Sequence, residues 1–554
     1  TIGPVGNPLC GFIIGKVLKD SLNNCTSDLG ELGLQNWIVR ADDSSGNSYY
    51  GVSDSTGTYR ISVDEGDYTL TLFPPSTLWS PCFVTQPLGT VAANDTTFAD
   101  DFLAQTIATC PALSVSIGTN LLRRCFSSNY YFVNYCNDGT APAEDAYILV
   151  ALDPFLSPVS SSLPYLNLGN NVLQFDIGDV EIGECDYFNL QVQVSCDAVI
   201  GQTHCTEAHI YPDSICLPND PLWSGASLQI SSECNTDSLK FTITNVGENM
   251  TEAVEYIVVE DMVMLMQSSI QLGASESVTL AFPANGSTWH LDVEQVAFHP
   301  GQSQPALSVE GCSATASFST GMVSQFSLND ADPWIDIDCT PNIGSWDPND
   351  KQGFPVGYGA AHYIRPGTEL EYLIRFQNTG TDTAFTVRVV DTLSTWLDPT
   401  TIRPGASSHA YQFDLTGAGV VEFLFENIML PDSNVNEPAS NGFVKFSISP
   451  KESAPLETVI ENNAAIFFDF NEPVITNTTF HRLGENFIVG VWQPRVPGAA
   501  VTVSPNPFGN EARLEVTGLR SSAPIRLRVI DLQGIVLRDM ETSGTVFNLK
   551  KGDW

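Results

Sequence analysis

The chain has 554 residues, with 23 basic against 64 acidic side chains for a formal charge of -41, and it is punctuated by 34 Pro and 42 Gly. That length exceeds what one hydrophobic core serves and points to roughly three to five domains. The charge repels nucleic acid phosphates and anionic membrane surfaces at long range, which argues against both as partners.

Dense Pro and Gly with few long helix-forming runs favour short strands and loops, so the expected fold class is all-β, a string of β-sandwich modules. An acidic balance this strong suits a solvated, salt-tolerant surface or a set of Ca²⁺ sites. No apolar run approaches the roughly 20 residues of a membrane-spanning helix. Thr1 opens no signal peptide, which leads us to expect a mature product or a fragment of a longer chain. All 13 Cys lie between Cys10 and Cys339. Their wide spacing in Ser/Thr/Asn-rich β modules predicts disulfides in an oxidising compartment rather than zinc sites, with the odd count leaving one thiol free or paired outside the chain.

In chain order, residues 1–106 form the first expected module. Tyr59, Ile61 and Val63 alternate with polar residues, and Tyr68, Leu70 and Leu72 repeat the pattern after the Asp64–Asp67 turn, as in half-buried strands. GFIIGKVLKD and GVSDSTGTYRISVDEGDYTLTL are similar to collagen-adhesin B-type (Cna-B-like) and carboxypeptidase-regulatory-like folds, small sandwiches used as stalk spacers. Some such domains carry a Lys–Asn isopeptide bond. Lys16 or Lys19 are the candidate lysines here, with no partner Asn or acid fixed by the sequence, and ordinary surface lysines are the simpler reading.

Residues 107–219, 220–340 and 341–484 are the next three modules. They share one motif: YYFVNYCNDGTAPAEDAYILVALD, FTITNVGENMTEAVEYIVVED and IRFQNTGTDTAFTVRVVDTL each read strand, Asn-x-Gly turn, second strand. The turn pairs are Asn137 with Gly139, Asn245 with Gly247, and Asn378 with Gly380, with Gly expected to supply positive φ. Their separation, roughly 110 to 130 residues, is that of immunoglobulin-like sandwiches. Together these blocks resemble the conserved-repeat family of bacterial surface proteins. The Met-rich EDMVMLMQSSIQLG stretch fits helix or strand. Cys185, Cys196, Cys205 and Cys216, with His204 and His209, admit a metal site by residue type, but their spacing matches no zinc knuckle and disulfides are preferred.

The 341–484 module has the clearest alternation. Leu370, Tyr372, Ile374 and Phe376 fall on every second residue, Leu373 being the exception, and Phe385, Val387 and Val389 follow after Asn378-Thr379-Gly380. The simplest expectation is two antiparallel strands joined by a loop. SWDPNDKQGFPVG, LPDSNVNEPASNGFVKF and AAIFFDFNEPVITN look like the conserved domain found just before the sorting signal in large secreted proteins of the Bacteroidota. In residues 485–554 a linker precedes Pro505-Asn506-Pro507-Phe508 and IRLRVIDLQGIVLRDM, which resemble part of the C-terminal sorting domain (type A) of type IX secretion cargo, a small β-sandwich recognised at the outer membrane.

GxSxG, P-loop, GxGxxG and HExxH motifs are all absent, and the seven His include no i, i+4 pair, so the chain is expected not to be an enzyme. Asp347, Asn349 and Asp350, with Asp330, Asp332, Asp336 and Asp338 upstream, are Ca²⁺ candidates, against a polar linker rich in Asp-Pro turns. Trp79, Trp223, Trp334, Trp346 and Trp396 read as residues packed under loops rather than a carbohydrate platform. The resemblances imply an extracellular structural or adhesive protein, one acidic rod serving as stalk, filament or appendage component on the outer-membrane exterior. Its implied partners are the type IX attachment machinery and further copies of itself. The rival readings are the spacer and export region of a larger secreted enzyme, or a Ca²⁺-dependent ligand-binding adhesin.

Overall fold

The computed structural model describes residues 11–213, 216, 218–235, 237–300, 305–313, 318–323, 332–343 and 349–485, together with five strands between Ala500 and Lys550. Within them every regular element is a strand, apart from two 3-10 turns at Pro399–Thr401 and Pro438–Ser440. Alternation explains this. Burial switches at each residue of Asn129–Asn137, Thr203–Tyr211 and Ser238–Asn245, the period of a strand with one face on a core.

Four sandwiches result. In the first, Gly11–Lys19 pairs with Thr58–Val63 and Phe102–Thr106 in one sheet, facing a sheet of Ser48–Val52, Ile38–Asp43, Gly66–Phe73 and Thr85–Val91. Tyr59, Ile61, Val63, Tyr68, Leu70 and Leu72 are all buried between them. The second places Leu113–Gly118, Asn129–Asn137, Cys185–Val194 and Leu156–Ser161 against a five-stranded sheet built on Ala143–Ala151 and Thr203–Tyr211. The third has a three-stranded sheet centred on Ser238–Asn245 and a four-stranded one centred on Val254–Glu260 and Trp289–Val293. The Met-rich stretch is a strand in it, Val263–Ile270, with Met264 buried.

The fourth sandwich packs Lys351–Phe354, Leu370–Gln377, Asn441–Ile448 and Arg403–Ser407 against a sheet centred on Val387–Thr392. Farther on, Ala500–Ser504, Glu511–Thr517 and Val546–Lys550 form one sheet, and Ile525–Ile530 with Val536–Thr542 a second.

Three expectations need correction. The strand Ile335–Pro341 completes the second sandwich, pairing antiparallel with Thr203–Tyr211. The third sandwich is therefore an insertion between two neighbouring strands of the second, and a boundary at 340 cuts through a sheet. Leu370–Gln377 and Val387–Thr392 are not a hairpin, because they lie in opposite sheets. Leu373 breaks the alternation because both faces of its strand are covered: it packs with Phe354, Ala406 and Phe443 on the side away from the main core. Finally, the modules do not touch only their chain neighbours as a rod requires. Ile38 and Tyr50 of the first sandwich belong to the core cluster of the fourth, and the fourth also contacts the second and third.

Candidate functional site at the module junctions

Each Asn-x-Gly motif carries the chain from one sheet of its sandwich to the other. A strand leaving its sheet strands backbone groups in the interior, where each must find a partner. The Asn supplies it. Asn137 is fully buried; its Nδ2 donates to the Ala141 and Val180 carbonyls, both at 2.9 Å, and its Oδ1 accepts from Gly139 N at 3.0 Å and Ala112 N at 3.2 Å. Asn245 repeats this, donating to Glu248 O and Gly273 O and accepting from Gly247 N and Ser227 N. Asn378 donates to Asp382 O and Leu430 O and accepts from Gly380 N.

The glycines differ from expectation, since none of the three has positive φ. Space is the reason at two of them. A Cβ on Gly139 would stand 2.3 Å from Ala112 N, and one on Gly247 2.2 Å from Gly225 O. At Gly380 a Cβ would meet only Asn378 Oδ1, at 3.0 Å.

Junctions between sandwiches are built from charge. Lys445 leaves the fourth sandwich and inserts into the second: its Nζ donates to Ile117 O at 2.8 Å and lies 3.3 Å from Asp336 Oδ2 and 3.0 Å from Glu371 Oε1. Gly118 makes room, for a Cβ there would fall 2.9 Å from Lys445 Cδ. Burial pushes Glu371 up to about 8, reinforced by Asp336 and opposed by Lys445. Burial likewise raises Asp338 to about 6. Among the three acids the Lys445 amine stays charged. Around it, Phe132 meets Phe443 edge-on at 5.6 Å, Ala406 N donates to Ser116 Oγ, and Arg123 grips Glu437 through two bonds of 2.9 and 2.7 Å.

The third sandwich is held to the fourth by Arg365 on Glu255 and Glu294 and by Tyr358 on Asp292. Ile257, Val259, Met264 and Met322 pack on Tyr358. Beside these contacts an open cleft of about 1420 Å³ brings together Glu252, Glu294, His299, Arg365 and Arg403. The first sandwich meets the second where Lys19 Nζ donates to Thr140 O and Trp79 Nε1 to Asp138 O, and meets the fourth where Tyr50 N donates to Gly417 O.

Among the described residues six disulfides join Cys25–Cys82, Cys110–Cys216, Cys125–Cys196, Cys136–Cys185, Cys205–Cys339 and Cys234–Cys312. Cys10 lies outside the described residues. The Cys185–Cys216 cluster is thus divided among four different partners. His204 is not a ligand there: its Nδ1 bonds to Asp153 and its Nε2 to Asn342, while His209 bonds to Asp213.

Of the calcium candidates, Asp347 and Asp330 lie outside the described residues. Asp350 is engaged by Arg375, whose Nε reaches Oδ1 at 2.6 Å, and Asn349 Oδ1 accepts from Gln377 N. Asp336 faces Lys445 and Asp332 is buried. Among the described residues, the one group of acidic, Cys or His side chains close enough to share an ion is Asp20 with Cys25 and Cys82, and its two sulfurs are joined to each other. Trp79 is buried edge-on against Trp37, Trp223 Nε1 caps Ala226 O, Trp334 packs on the second core, and Trp396 is part-exposed. Trp346, Pro505, Asn506 and Pro507 lie outside the described residues.

Residues 347–482 match a domain family of unknown function, DUF7619. No curated protein matches the chain. Solved structures similar to parts of it include the full-length RrgB pilus protein of Streptococcus pneumoniae, with 6% identity over 73% of this chain and 75% of that one, at a TM-score of 0.23. The major pilin subunit BcpA of Bacillus cereus shares 9% identity over 52% and 87%, at 0.17, and the Staphylococcus aureus collagen adhesin 8% over 47% and 93%, at 0.18.

Proposed function

We propose that this chain is a non-catalytic structural or adhesive component of the cell surface, a stalk, filament or appendage element exported by type IX secretion. The observation that carries the mechanical part is the Lys445 junction, where a cation from one sandwich is buried among acids of its own and a neighbouring sandwich. Breaking such a contact leaves uncompensated buried charge, so the modules resist separation. Six disulfides add constraints suited to an oxidising exterior. The export part is supported by the sequence around Pro505-Asn506-Pro507 and the strand-rich run after it. Attachment machinery at the outer membrane would be the partner, with edge strands offering a route to self-association.

The test is imaging and intact mass of the native chain from cells with and without a working type IX system. Surface filaments or fibres containing the chain, lost on blocking export, are expected. A lone chain carrying a large further folded domain, or surface display that persists without the system, would overturn the reading.

A further inference from the structure

Lys351 opens the fourth sandwich, and its side chain is fully buried, as is that of Asp391 in the opposite sheet. The amine contacts the Asp391 carboxyl directly and stands 4.2 Å from the centre of the Tyr372 ring and 5.3 Å from that of Phe446. Asn462, 2% exposed, ends the strand Val459–Asn462, two residues before the Ala464 that pairs with Asp391. Its amide lies close enough to Asp391 and Tyr372 to favour their charged forms. Yet neither its Nδ2 nor its Oδ1 makes a well-formed hydrogen bond, and Asp391 Oδ1 and the Tyr372 hydroxyl are also unmatched.

As a plain ion pair this arrangement is poorly built. A buried charge pair needs its remaining donors and acceptors satisfied, and a buried carboxamide with no well-formed hydrogen bond carries a desolvation cost with little return. Lys445, the other deeply buried lysine described above, has a carbonyl and two carboxylates around it and no such amide. What distinguishes Lys351 is an amine, a carboxylic acid and a carboxamide converging in an aromatic, buried pocket.

We infer that Lys351 and Asn462 are joined by an intramolecular isopeptide bond formed with the help of Asp391. The neutral Lys351 Nζ attacks Asn462 Cγ, forming a C–N bond. Asp391 in its acid form protonates the developing oxyanion, relays a proton from the attacking nitrogen to Nδ2, and recovers its own proton as the hydroxyl collapses to the carbonyl. The Cγ–Nδ2 bond breaks and ammonia leaves, so amine plus carboxamide become a secondary amide plus ammonia with no redox partner. Burial drives both groups toward the forms this requires, lowering the Lys351 amine and raising the Asp391 carboxyl. The aromatic walls keep out water, which would compete with the amine for Asn462 Cγ and favour the charged forms of Lys351 and Asp391. The product removes the buried charge and the idle amide together, and ties the first strand of the sandwich to one near its end.

The inference stands whether or not the chain is a surface element. Its test is the intact mass of the full chain after reduction and denaturation, followed by peptide mapping. The expected chain is lighter than its sequence by one ammonia, trypsin fails to cut after Lys351, and a branched peptide joins the Lys351 and Asn462 segments. Lys351→Arg, Asp391→Ala and Asn462→Ala should each restore the full mass. Full mass in the unaltered chain, with both residues recovered in linear peptides, overturns the inference without any variant having to fold.

Discussion

Cys205 and Cys339 face each other across the paired strands Thr203–Tyr211 and Ile335–Pro341, so their disulfide closes the loop that contains the whole third sandwich. Without it, the edge strand Ile335–Pro341 keeps its pairing with Thr203–Tyr211 and the Asp336 contact with Lys445 but has no covalent tie, at the end of a long excursion. In the chain-entropy model a cross-link over a loop of 134 residues contributes roughly 4 to 5 kcal/mol, and less where the unfolded chain keeps structure. Cys205→Ser with Cys339→Ser should lower the denaturant midpoint of the second sandwich and expose the Ile335–Pro341 strand to proteases. An unchanged midpoint and cleavage pattern would show that strand pairing suffices.

Removing Lys445 should cost more than any surface charge change. Lys445→Met leaves Asp336 and Glu371 facing each other in a part-buried junction, a loss of about 3 to 5 kcal/mol. The loss should appear as separation of the second and fourth sandwiches in solution scattering, with each core intact. Scattering identical to that of the unaltered chain would count against the junction as a clamp.

Buried and part-buried carboxyls of the second and fourth sandwiches set a pH dependence. Glu371 is raised to about 8, Asp332 to about 7 and Asp338 to about 6, burial being the leading cause in each case. For a carboxyl raised in the folded state, the native chain holds more protons than the unfolded one between the ordinary carboxylate range and the raised value. Stability therefore falls as pH rises through that window, by up to about 1.4 kcal/mol per pH unit for each group. Unfolding midpoints at pH 5.5, 7 and 8.5 should decrease in that order. Glu371→Gln should flatten its share of the slope, which separates this effect from the general self-repulsion of an acidic chain; a variant with the full slope would assign it to net charge.

The alternation of Tyr59 to Val63 and Leu370 to Phe376 made the all-β fold legible, because one-sided burial writes itself into every second residue. Pairing was not legible. The turns after Val63 and Asn378 look like hairpin loops, but the same sequence signal serves a crossing between sheets, since either requires only a short polar break between two alternating runs. The insertion of the third sandwich depends on Ile335–Pro341 finding Thr203–Tyr211, a contact between distant residues that no local pattern encodes. In SWDPNDK the acidic residues have the composition of a calcium site, while the residue with the unusual surroundings is Lys351 beside them. A lysine in a strand reads as solvent-facing until the packing that buries it is known.

Calcium should have little effect on the Asn349–Asp350 loop, because the Asp350 carboxylate is already paired with Arg375. Calorimetric titration with Ca²⁺ should show no heat from this site, and chelation should leave the unfolding midpoint unchanged. Arg375→Ala frees the carboxylate; calcium-dependent stabilisation in that variant alone would confirm that the arginine occupies the cation's place. A midpoint shift in the unaltered chain that Asp350→Asn abolishes would reverse this.

The Asn-x-Gly crossings allow the sharpest separation of backbone shape from space. If positive φ were the need, Gly→Ala would harm all three modules alike. The observed need is room at Gly139 and Gly247, where a methyl group would run into backbone atoms that cannot rotate away, and much less at Gly380, where it would meet one side-chain oxygen. Gly139→Ala and Gly247→Ala should therefore destabilise their sandwiches by about 2 to 4 kcal/mol, in the range of strained or overpacked core changes. Gly380→Ala should stay within about 1 kcal/mol, with Ala gaining something from its smaller unfolded-state entropy. Asn137→Ala, Asn245→Ala and Asn378→Ala should behave alike, each leaving buried carbonyls unpaired at about 1 to 3 kcal/mol per group. Denaturant unfolding of the six variants, followed by proteolysis to locate the affected module, decides it. Equal losses at the three glycines would contradict the spatial account, and a silent Asn→Ala would show that water can replace the amide at the crossing.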